Sequence, residues 1–201
     1  MEEEKIIFRS TSKVEAAFTA AVTNVITSAA HGLQDNDCIQ LTTTTTLPAG
    51  LALLTNYYVI SRTENTFKVS FTPGGPEVDI TDIGTGTHTY HLKGKVIYVG
   101  DFVTSDLTID FGSTPTMTIK LQGSVQDSVD LNAAQGADNR WDYIECVDLE
   151  NGTAIDGDTG IACAGSVDHR LIEANINGLT WITVAITAYT TGVLNITIRS
   201  F

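Results

Sequence analysis

Apolar residues in this chain alternate with polar ones over short runs, and each run stops at glycine, proline, asparagine or aspartate. The runs Cys38-Ile39-Gln40-Leu41-Thr42 and Thr66-Phe67-Lys68-Val69-Ser70-Phe71 alternate in this way, and Tyr57-Tyr58-Val59-Ile60-Ser61 is a short apolar run of strand length. Between them, His31-Gly32-Leu33-Gln34-Asp35-Asn36-Asp37, Leu47-Pro48-Ala49-Gly50-Leu51 and Thr63-Glu64-Asn65 carry turn chemistry. A period of two sends one face of each run into a core and the other into solvent, which is the pattern of a β-strand. Composition agrees, since thirty threonines, five of them in the block Thr42 to Thr46, and 17 glycines favour strands joined by tight turns. The only helical candidates, Ser12 to Ala21 and Ser128 to Gly136, lack a sustained apolar stripe at helical spacing. The expected fold class is all-β.

Charge removes several functions. Lys+Arg 11 against Asp+Glu 24 leaves a formal net charge of −13 over 201 residues. Such a surface repels phosphate and lacks the basic footprint of a nucleic-acid binder. No apolar run approaches the roughly 18 residues of a membrane span, and Met1-Glu2-Glu3-Glu4 is acidic where a signal peptide is basic. A soluble chain with neither a nucleic-acid nor a membrane partner is expected.

The pattern divides the chain into three. Residues 1–15, with the apolar Ile6-Ile7-Phe8 behind three glutamates, read as an N-terminal assembly arm, and Ile6, Ile7 and Phe8 are interface candidates. Residues 16–92 read as a small β-barrel or sandwich whose expected core is Leu33, Ile39, Leu41, Leu51, Tyr58, Ile60, Phe67, Val69 and Phe71. The pair Lys93-Gly94-Lys95 marks a shift in composition, and residues 93–201 hold seven or eight further strand patterns. Among them are Leu107-Thr108-Ile109-Asp110-Phe111, Trp141 to Val147 and Trp181 to Ile186. That number of antiparallel strands in this length suits a jelly-roll-like β-sandwich.

The ordered landmarks His31-Gly32-Leu33, Ile39-Gln40-Leu41, the threonine block, Leu47-Pro48-Ala49-Gly50-Leu51, Tyr57-Tyr58-Val59-Ile60, Phe67-Lys68-Val69-Ser70 and Gly84-Thr85-Gly86-Thr87 resemble a β-module of tailed-bacteriophage structural proteins. The resemblance covers roughly residues 20–92 and departs from the usual pattern where no glycine interrupts Thr42 to Thr46. The order of elements after residue 96 is similar to C-terminal β-sandwiches of phage virion proteins. The resemblance implies a virion component assembled in the host cytoplasm, most concretely a capsid decoration or cement protein. Its partners are then the major capsid protein and further copies of itself, as a homotrimer. The alternative it implies is a tail, baseplate or fibre-associated protein that binds carbohydrate.

Chemistry-bearing motifs are sparse. There is no nucleophile elbow, phosphate loop, dinucleotide fingerprint or zincin motif, and no catalytic residue or cofactor is expected. Asp156-Gly157-Asp158 reads first as an ordinary hairpin turn; it also spaces two carboxylates as a calcium loop does, with Glu150 or Asn151 within reach, and lacks the downstream bidentate glutamate of a full loop. Trp141, Tyr143 and Trp181 are candidates for a core, a subunit interface or a sugar-stacking platform. His88 and His91 fall on opposite faces of a strand, and His31 suits a polar turn. Cys38, Cys146 and Cys163 read as small buried hydrophobes, with a Cys146–Cys163 bridge the alternative.

Overall fold

A computed structural model describes residues 5–10, 13–111, 114–129, 141–164 and 169–200. Every regular element among the described residues is a strand. The first is β1 (Lys5–Arg9). Six follow: β2 (Glu15–Ala20), β3 (Ile26–Thr27), β4 (Cys38–Thr43), β5 (Tyr57–Ile60), β6 (Thr66–Ser70) and β7 (His88–Leu92). Then come β8 (Ile97–Tyr98), β9 (Thr104–Phe111), β10 (Thr116–Ser124), β11 (Asp142–Tyr143) and β12 (Cys146–Asp148). The last are β13 (Thr153–Ile155), β14 (Ile161–Ala164), β15 (His169–Asn175), β16 (Trp181–Thr191) and β17 (Leu194–Ser200). The helical candidate at 12–21 holds strand β2, where Phe18 alone turns fully inward, and most of the candidate at 128–136 lies outside the described residues. No helix is long and apolar enough to cross a membrane among the described residues.

The chain forms two compact units, Ser10–Lys93 and a second made of Met1–Arg9 with Gly94–Phe201. The boundary near Lys93 agrees with the composition shift. The expected N-terminal arm does not: β1 pairs antiparallel with β17, and Ile7 and Phe8 are 0% and 2% exposed. The segment is therefore a strand of the C-terminal unit, and the first unit is inserted between β1 and β8.

That first unit is a closed barrel in the order β2-β3-β6-β5-β4-β7, with β7 returning to β2. Tyr57, Val59, Phe67, Val69, Tyr90 and Ile39 fill it, and the Phe67 and Tyr90 rings meet edge to face at 5.9 Å. In β5 the inward residues are Tyr57 and Val59, whereas Tyr58 and Ile60 face outward. All four are apolar or aromatic, so alternation could not choose the face. Leu51 is only half-buried, and Phe71, one residue beyond β6, is exposed. The turn at Gly50 needs glycine: its φ is +100°, and a Cβ there would stand 1.9 Å from the Asp79 carbonyl oxygen.

The second unit has two antiparallel sheets. One runs β1-β17-β9-β15-β12-β13. The other runs β8-β16-β10, with β11 and β14 sharing the far edge of β10. With the short β11–β13 set aside, the eight strands β1, β8, β9, β10, β14, β15, β16 and β17 follow the order of a jelly roll. Phe8, Leu107, Ile109, Ile172 and Ile196 from the first sheet and Ile119, Leu121, Ile182 and Val184 from the second form its core. In β9, β15 and β17 these residues alternate with residues of the outer face, as the sequence period requires, while in β1 a register shift between Ile6 and Phe8 leaves both Ile7 and Phe8 buried.

Candidate interaction surfaces

Three features of the jelly roll bear on function. The first is the turn after β13, where two sequence candidates meet. Asp156 Oδ1 accepts from Thr159 N at 3.0 Å, and Asp156 O accepts from Gly160 N at 2.9 Å, so this carboxylate closes its own turn. Gly157 lies against the backbone of Tyr143 and Ile144, where a Cβ would come within 2.8 Å. The Lys120 ammonium donates to the Asp158 carbonyl and stands 4.3 Å from the centre of the Tyr143 ring. Lys120 thus brings a positive charge to the turn. Partial burial, and secondarily the nearby Asp158, push the Tyr143 hydroxyl above its usual pKa. Asn151 Oδ1 caps its own hairpin at Thr153 N. Among the described residues no group of three or more His, Cys, Asp or Glu side chains could hold a metal ion.

Trp141 is not a surface platform. It is buried, and so it belongs to the core rather than to a sugar site or an interface. Ile7 and Phe8 are core residues for the same reason; of the N-terminal candidates only Ile6, 45% exposed, is open to a partner.

The second feature is an aromatic end of the sandwich, where the sequence candidate Trp181 meets residues the sequence did not single out. Trp181 donates from Nε1 to the Gln126 carbonyl at 3.0 Å, and its ring meets Tyr98 edge-on at 5.3 Å. Backbone bonds Val99 N to Thr180 O and Thr180 N to Ser124 O tie the three connections together. Tyr98, Val103 and Val125 remain about half exposed around them. Three segments distant in sequence converge here, and only the strand order reveals it.

The third feature is the outer face of the first sheet. The register places Ile6 opposite Thr197, Thr197 opposite Thr108 and Thr108 opposite Leu171, in one row across four strands. Leu149, whose N–H donates to Leu171 O at 2.9 Å, continues the row. Leu171 and Leu149 are 45% and 41% exposed. On one side of this stripe lie Arg199, Asp106 and Glu173, and on the other Arg9, Asn195, Asp110 and His169. His169 Nδ1 pairs with the Asp110 carboxylate. The alternating positions of β9, β15 and β17 were legible; which strands stand side by side was not.

The histidines and cysteines are mostly structural. His31, expected in a polar turn, is buried: its Nδ1 accepts from Leu33 N at 3.0 Å and its ring lies 5.1 Å from Phe67. Burial chiefly, with the cations of Arg62 and Lys13, holds this imidazole below its usual pKa. His88 faces the barrel core, with Nδ1 2.9 Å from Thr43 Oγ1, while His91 lies on the outer face with Nδ1 3.0 Å from Glu15 Oε2. The two therefore point to opposite faces as expected. All three cysteines are free thiols, Cys146 and Cys163 included, and burial pushes each up to about 11.

Comparison of the chain with protein-family models, with curated proteins and with solved structures finds no match.

Proposed function

We propose that this chain is a structural component of a tailed-phage virion, a decoration protein that binds the outside of the head and braces it. The observation that carries the reading is the eight-strand jelly roll, in a chain that also holds a separate barrel. Jelly rolls recur in viral capsid and lectin domains. The landmarks from His31 to Thr87, which resemble a phage structural module, now lie on one barrel with its own core. The mechanism is binding without turnover: repeated modest contacts with the major capsid protein sum over a symmetric lattice. The test adds purified protein to emptied, expanded heads of the phage that encodes it, followed by cryo-electron microscopy. Density at regular outer lattice positions is the expected result; labelling confined to the tail tip overturns it.

A specific observation favours the carbohydrate alternative as a second reading. Tyr98 presents an exposed ring, braced by Trp181, at the end of the sandwich, and such a ring stacks on the apolar face of a sugar. Binding to host cell-wall polysaccharide that Tyr98→Ala abolishes with the fold intact would support it. A flat response to that polysaccharide removes it. Trp141→Ala does not serve as the probe, because Trp141 is in the core.

A further inference from the structure

We propose that the outer face of the first sheet, crossed by Ile6, Thr197, Thr108 and Leu171, is a self-complementary contact through which two copies of this chain pair. The pairing is about a two-fold axis that runs along the strands, between β9 and β17. It does not depend on the virion reading.

On this face the cations Arg9 and Arg199 belong to β1 and β17, and the carboxylates Asp106, Asp110 and Glu173 belong to β9 and β15. The face is therefore divided along its length into a half that carries its two arginines and a half that carries its three carboxylates, of which Asp110 is paired with His169 within the chain. A two-fold contact puts the same patch on both partners, so residue i meets residue j and j meets i.

With the axis on the dividing line, β17 of one copy lies over β9 of the other, and β1 over β15. Arg199 then faces Asp106 of the second copy, Asn195 faces Asp110, and Ile6 faces Leu171, each pair occurring twice. Thr197 meets Thr108 at the centre, where β-branched side chains pack flat. Axes placed elsewhere are worse: one through β9 sets Asp106 against its own copy, and one across the strands sets Asp106 against Asp110. The chosen axis keeps the strands of the two sheets aligned, as sheets packed face to face prefer.

The size of the face sets the strength. Four strands about 4.8 Å apart and five or six residues long cover roughly 400 Å² per copy, or about 800 Å² in all. That lies below the size of stable complexes, so the pair forms at high concentration and exchanges readily. Its charge pairs lie at the rim of the stripe, so salt weakens it.

Sedimentation of the full chain from about 10 μM to about 1 mM is the test. The expected result is a mass that rises with concentration from 21.5 kDa toward twice that value, and less so at high salt. Arg199→Asp alone sets Asp against Asp106, and Asp106→Arg alone sets Arg against Arg199; each weakens association about tenfold or more. An equimolar mixture of the two variants regains the pair, because both contacts between positions 199 and 106 are again opposite in sign. Recovery in the mixture also shows that both variants are folded. If either variant unfolds alone, Leu171→Asn at the exposed stripe takes its place and is likewise expected to stay single. A chain that stays at 21.5 kDa throughout, a threefold mass, or a pair indifferent to these substitutions overturns the proposal.

Discussion

At the scale of single residues, His31 carries the clearest consequence. Its Nδ1 accepts the Leu33 N–H in a buried site, so a proton there would meet another donor with no water to accept it. The folded barrel therefore holds this imidazole below 6.5, the value expected when it is solvated. Between the folded and unfolded values the unfolded chain binds more protons, so stability rises with pH across that window. The contribution is fully present above about 6.5, shrinks as pH falls below it, and is gone once pH passes the folded value. Denaturant melts of the barrel at a series of pH values should show this slope, and His31→Asn, whose Oδ1 can accept the same bond, should flatten it. An equal slope in the variant would assign the effect to other groups. Gly50→Ala should destabilise the barrel by about 3 kcal/mol, since a Cβ adds a clash to a strained φ. The thiols give a third expectation. With pKa values near 11, roughly one thiol in a thousand is ionised at pH 8. A disulfide reagent should label the native chain slowly and all three cysteines promptly in denaturant.

At the scale of elements, β1 decides whether the jelly roll exists. Burying Ile7 and Phe8 is worth about 2 kcal/mol each, and the strand also covers the edge of β17. Removing residues 1–10 should lower the stability of the sandwich by about 4 kcal/mol or more while the barrel melts as before. A truncated chain whose sandwich melts unchanged would return β1 to the status of an arm. The role of β1 was not legible, because an apolar run behind three glutamates reads the same whether it docks within the chain or on another molecule. Alternation located most strands, since a period of two needs only local information. It failed where both faces are apolar, as at Tyr57 to Ile60, and where a strand lies among alanines, as in β2. The aromatic end around Trp181 and the divided charge of the outer face were invisible for another reason. Both depend on strands that are neighbours in space and far apart in sequence, which periodicity does not report.

At the scale of the whole molecule, one domain interrupts another. Within the barrel the chain begins and ends side by side, since β2 pairs with β7 and Leu92 N donates to Val14 O at 2.8 Å. Within the jelly roll Lys95 N donates to Ile7 O at 2.7 Å, so the flanks of the insertion are also neighbours. Replacing residues 10–93 with a short glycine-serine turn should leave a folded sandwich with native near-ultraviolet circular dichroism. A molten product would show that the sandwich needs its insertion. The same connectivity imposes an order on synthesis. The barrel has all its strands once Leu92 has been made, yet Ile6 must wait for Thr197, about 190 residues later. At about 5–20 residues per second a ribosome takes roughly 10–40 s to cover that distance. Throughout that interval β1 lacks the strand it pairs with, and the whole barrel lies between the two along the chain.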